Sequence, residues 1–90
     1  MTEKTVLVTY DLNKETQRPK ITAEVKKSAS WAQLSESSYA ICTRETSSEV
    51  YQRFSKYLDS NDYFYVIPLR KPYDGYGLNE VIEWLDNNLE

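Results

Sequence analysis

Ninety residues with 40% hydrophobic and 28% charged side chains make one globular domain, expected here over residues 1–90, with a small core. One cysteine and no histidine rule out an internal disulfide, a Cys/His zinc site and any histidine-assisted nucleophile. The net charge of −3 argues against bulk electrostatic attraction to nucleic acid, and a core this small with no staple favours a homodimer.

Thr5–Tyr10 (TVLVTY) is a nearly unbroken run of β-branched and aromatic residues, as in a strand buried on both faces. After the break at Asp11–Lys14, Pro19 suits a helix start, and Ile21, Val25 and Ala29 at i, i+4, i+8 predict about three helical turns. Tyr39–Thr43 reads as strand, whereas Gln33–Ser38 alternates weakly and fits either a separate strand or half of one bent strand. Thr46-Ser-Ser-Glu49 is a capping box, followed by the apolar stripe Val50, Phe54, Tyr57, Leu58. Asp59–Asp62 is a turn, and Tyr63–Leu69 (YFYVIPL) a strand whose Pro68 must lie at an edge or terminus. Arg70–Gly77 is a loop, and Leu78, Val81, Ile82, Leu85 and Leu89 form the stripe of a last helix with an acidic outer face. The preferred reading is an α+β, ferredoxin-like β-α-β-β-α-β sandwich with an added C-terminal helix, because three parallel strands would leave much sheet edge uncovered.

Four segments in this order resemble a known family along nearly the whole chain. Val6-Leu-Val-Thr-Tyr-Asp-Leu-Asn13 is similar to the first strand, ending in Tyr-Asp, of the small CRISPR adaptation nuclease superfamily, which includes the VapD-type ribonucleases. Tyr10–Lys14, Glu36–Ser38, Ser60–Asp62 and Glu83–Leu89 resemble its SinR-like branch more closely. The resemblance implies a ferredoxin-like fold, a homodimer and a link to RNA or DNA in a small protein of bacterial or phage origin. It also places Asp11 where the nuclease members carry a proposed metal ligand near the dimer interface. Against nuclease activity stand the acidic balance and the lack of a strongly basic stripe.

Asp11 is therefore the candidate catalytic residue. With Asp62, brought alongside if the last strand runs antiparallel to the first, it is the candidate ligand pair for Mg²⁺ or Mn²⁺ should the protein be a nuclease. The opposing reading makes Asp11 a turn cap acting with Asn13. Lys14, Arg18, Lys20, Lys26 and Lys27, a segment of net +3, together with Arg70 and Lys71, are the candidate phosphate contacts. Asp74–Glu90 carries five acids and no base, so it repels phosphate. Tyr39, Tyr63 and Tyr65, with Tyr10, supply either a base-stacking platform or, preferentially, a subunit interface. Trp31 and Trp84 read as helix-packing residues and Cys42 as a small apolar residue. The expectation is a cytoplasmic, homodimeric, nucleic-acid-associated protein with no membrane partner. The alternative is a non-catalytic module that docks on a host protein.

Overall fold

The computed structural model describes residues 3–90; Met1 and Thr2 lie outside the described residues. The chain runs β1 (Lys4–Asp11), a single 3-10 turn (Glu15–Gln17), α1 (Arg18–Val25), β2 (Trp31–Ser35), β3 (Ser38–Thr43), α2 (Ser47–Ser55), β4 (Tyr63–Leu69) and α3 (Asn79–Asn88). The architecture is thus α+β: one four-stranded antiparallel sheet, ordered β2-β3-β1-β4, with three helices. The middle stretch is two strands, joined at Glu36-Ser37 into a hairpin.

Strand alternation sorts the side chains into two layers. Val6, Val8 and Tyr10 of β1 and Tyr39 and Ile41 of β3 point to one face. There Ile21 and Val25 of α1 and Val50 and Phe54 of α2 cover them. Removing this much apolar surface from water is the main stabilising contribution, at about 25 cal/mol per Å². Helix α1 is shorter than its expected three turns. It ends at Val25, and Ala29 lies exposed beyond it, because Lys26 and Lys27 already enter a turn. Helix α2 starts on both reciprocal bonds of the capping box. Thr46 Oγ1 accepts from the Glu49 N–H at 3.1 Å, and Glu49 Oε1 accepts from the Thr46 N–H at 2.9 Å.

The opposite face carries Thr5, Leu7 and Thr9 of β1 and the small residues Ser38, Ala40 and Cys42 of β3. Helix α3 lies on part of it, with Leu85 and Leu89 packed on Ala40. Three polar contacts fasten the helix: Thr5 Oγ1 donates to the Asn88 carbonyl (2.9 Å), Cys42 Sγ to Asn88 Oδ1 (3.4 Å) and Trp84 Nε1 to Ser30 Oγ (2.9 Å). The remainder of this face stays open. No described helix is long and apolar enough to cross a membrane.

Candidate binding face

Antiparallel pairing of β1 with β4 sets Asp11 opposite Tyr63, so Asp62, immediately before β4, lies beside the end of β1. The two carboxylates differ in what they do. Asp62 Oδ1 accepts from the Asn13 N–H at 2.7 Å and its Oδ2 from the Asp59 N–H at 3.0 Å. These backbone donors, Asp59 first and then Asn13, hold the Asp62 carboxyl below its usual range. Asp62 thereby clamps the loop after β1 to the turn before β4. The cap expected of Asp11 is supplied by Asp62, and the Asp11 side chain stands exposed. Among the described residues no three His, Cys, Asp or Glu side chains gather as a metal ion would require.

The candidate cations do not form one patch. Lys14 follows the end of β1, whereas Arg70 and Lys71 follow β4, whose Leu69 pairs with Thr5 at the start of β1. Lys14 and the Arg70–Lys71 pair therefore occupy opposite ends of the sheet, while the cations of α1 run along the helix layer. Arg18 is ion-paired to Glu15 and also donates to the Glu36 carbonyl and Ser37 Oγ, both at 2.9 Å, pinning α1 to the β2-β3 turn. Lys27 pairs with Glu24 at 3.3 Å, and Lys26 lies 5.5 Å over the Trp31 ring. Lys71 Nζ donates to the Asp86 carbonyl at 2.9 Å. Lys14, Lys20 and Arg70 are exposed and form no ion pair among the described residues.

The tyrosines separate by strand parity. Tyr39, expected at an interface, is only 4% exposed, because its position in β3 points into the layer covered by α1 and α2. Tyr10 is likewise buried there, and burial, the largest influence on its hydroxyl, raises its pKa. Tyr63 and Tyr65 point to the open face of β4 and are 62% and 56% exposed, followed by Ile67 at 47%. These three form an uncharged row along an edge strand.

Beside that row lies a cavity of about 300 Å³ between α3, the ends of β2 and β4, and the loop 70–78. Leu34, Leu69, Val81 and Leu85 are among its apolar walls, and Tyr76 and Leu78 stand exposed at its mouth. Tyr73 braces the loop on α3, its hydroxyl donating to Asp86 Oδ1 at 2.6 Å. The Asp86 carboxylate pushes the Tyr73 hydroxyl up to about 12, so it stays a donor throughout the physiological range. Of the exposed charges of the loop and helix, Arg70, Lys71 and Asp74 belong to the loop and Glu80, Glu83 and Asp86 to α3, four acids to two cations. A recess of this size, apolar inside and bordered by more acids than cations, suits an apolar anchor carried on a cationic surface.

Sequence reading missed this cavity, although two signals for it were present. The α3 stripe needs an apolar bed, and alternate small residues on β3 (Ser38, Ala40, Cys42) leave room for a helix on that face. No protein-family model matches the chain, and no curated protein matches it.

Proposed function

We propose that the protein is a non-catalytic binding module with the ferredoxin-like β-α-β-β-α-β arrangement plus α3, and that it docks on a protein surface that is basic and carries an apolar anchor. The observation that carries this reading is the cavity beneath loop 70–78, apolar within, with Asp74 and Arg70 the charged residues of its lining and the acids Glu80 and Glu83 on the adjoining helix α3. Charge complementarity selects such a partner and speeds encounter, while the anchor in the cavity supplies most of the affinity. Phosphate is disfavoured on this side because Asp74, Glu80, Glu83 and Asp86 outnumber Arg70 and Lys71. On the helix side, Arg18, Lys26 and Lys27 are already engaged with Glu15, Trp31 and Glu24.

The test uses three probes in calorimetric titrations at low and physiological salt: an amphipathic leucine-lysine peptide, its leucine-glutamate counterpart and a single-stranded oligonucleotide. The leucine-lysine peptide is expected to bind, more weakly as salt rises, and the other two are not. Leu34→Ser with Leu78→Ser removes apolar lining without changing charge, and is expected to cut the affinity for that peptide about tenfold, the equivalent of about 1.4 kcal/mol. Two results would overturn the proposal. One is equal binding by wild type and the double variant. The other is oligonucleotide binding in preference to the peptide, with a log–log salt slope of about −2 to −4 for three to five phosphate contacts.

A further inference from the structure

The edge strand β4 presents a second surface, separate from the α3 cavity and arguable without it. Its seven residues, YFYVIPL, include no charge, so of the devices that ordinarily guard an exposed edge (charges, proline, bulges or cover) only Pro68 near its end is present in the strand. The backbone identifies which residues face outward. The Tyr10 N–H donates to the Ser37 carbonyl at 3.0 Å, so even-numbered residues of β1 direct their peptide groups toward β3. Odd-numbered residues of β1 then serve β4, in the pairs Thr5–Leu69, Leu7–Ile67, Thr9–Tyr65 and Asp11–Tyr63. The peptide groups left facing away from the sheet are those of Phe64, Val66 and Pro68. Pro68, with no N–H to offer, is thus placed where the β1 ladder loses nothing.

We propose that β4 pairs antiparallel with β4 of a second copy of this chain, about a dyad at Tyr65. Of the possible registers, the one setting Phe64 opposite Val66 of the other copy satisfies both free N–H groups of each strand and leaves Pro68 opposite Asp62, beyond the ladder, where neither has a free N–H to satisfy. Shifting by two residues either sets Phe64 against Pro68, which cannot donate, or sets Val66 against Asp62. The Asp62 N–H already bonds the Asp59 carbonyl. In the Tyr65-centred register the open-face side chains meet as Tyr65 with Tyr65 and Tyr63 with Ile67, which are favourable aromatic and aromatic–aliphatic cross-strand pairs.

Charge supports the same register. Each β4 is preceded by Asp59 and Asp62 and followed by Arg70 and Lys71. The antiparallel dyad sets Lys71 opposite position 59 and Arg70 opposite position 60, bringing the cations of each copy to the acidic turn of the other. Arg70, exposed and without an ion pair among the described residues, gains one there. On the helix side, Tyr51 extends this apolar edge next to Phe64, with ring centroids 6.3 Å apart. The result is a continuous eight-stranded sheet with a C2-symmetric interface.

Sedimentation should find the full chain at twice its 10.6 kDa mass. Tyr65→Lys places like charges face to face on the dyad and should leave a monomer up to about 100 μM with its cooperative melt intact. Cysteine trapping in a Cys42→Ser background reads the register without disrupting the strand. Directly opposed, non-hydrogen-bonded residues have Cα atoms about 4.5 Å apart, within disulfide reach. Tyr65→Cys should therefore cross-link with itself on oxidation, and Tyr63→Cys should not. A wild-type monomer at about 100 μM would overturn the proposal. So would a folded Tyr65→Lys dimer, or cross-linking of Tyr63→Cys as complete as that of Tyr65→Cys.

Discussion

Glu24→Gln perturbs the one buried carboxylate among the described residues while keeping its shape. Glu24 Oε2 accepts from Arg53 Nη1 at 2.9 Å, and its Oε1 accepts from Tyr57 Oη at 3.1 Å and from Lys27 Nζ at 3.3 Å. Arg53 also bridges to Glu45 at 3.0 Å, joining α1 to α2 and to the end of β3. Hydrogen bonds to charged groups contribute about 1.5–3 kcal/mol each, and the exposed Lys27 adds only about a few tenths. Glutamine still accepts from Tyr57, and Arg53 keeps Glu45, so the loss stays below the ~3–5 kcal/mol of a fully orphaned buried charge. The expected cost is about 2 kcal/mol, a fall in Tm of about 8–16 °C for a domain of this size. Burial acts most strongly on Glu24 and pushes its pKa up, but Arg53, Lys27 and Tyr57 together outweigh it and the net pKa is lowered. A lowered folded-state pKa contributes stability that is present above the unfolded glutamate value of about 4.3 and is lost as pH falls through the folded value. Thermal and urea melts at pH 7 and in steps toward pH 3 should show the gap between wild type and variant full at neutrality and closing in acid. A gap under ~0.5 kcal/mol at pH 7, or one that persists unchanged in acid while both proteins remain folded, would refute this account of the network.

Two other outcomes follow from the loops that flank the sheet. Thr46→Ala removes the acceptor for the Glu49 N–H and should cost about 1 kcal/mol, read as a Tm lower by about 4–8 °C. Asp62→Ala frees the clamp between Asn13 and Asp59 and should lower Tm, whereas Mg²⁺ or Mn²⁺ should leave the wild-type Tm unchanged. A metal-dependent rise abolished by Asp11→Asn would instead make these carboxylates a cation site.

Legibility in the sequence varied with how locally each feature is determined. The bounds of β4 and the start of α2 were readable because uninterrupted β-formers and a capping box act through near neighbours. The extent of α1 was not, since Ala29 continues the i, i+4 pattern although the chain turns at Lys26. The adjacency of Asp11 and Asp62 followed from topology once four strands were assumed. Their separate tasks did not, because which carboxylate meets the Asn13 N–H depends on a contact 49 residues apart in sequence. Tyr39 was placed on an interface although its neighbours Ala40 and Cys42 are the small residues of β3. Assigning strand parity from residue size would have put those two under α3 and Tyr39 in the core.

The same sorting by face explains how an acidic protein can carry seven candidate cations without a basic groove. The cations of α1 lie on the helix layer, and three of the five basic residues in that segment are held by Glu15, Glu24 or the Trp31 ring. Arg70 and Lys71 follow β4 on the other side of the sheet's edge, where α3 presents Asp86 beside Lys71. A phosphate strand long enough to touch both groups would have to pass an edge of the sheet and skirt the carboxylates of α3, losing at each acid part of what it gains at each cation. Pairing two copies through β4 does not change this balance, since it directs Arg70 toward Asp59 and Asp62 of the other copy and leaves both acidic α3 faces outward. Charge and topology together therefore support the proposed docking on a protein surface rather than on a nucleic acid.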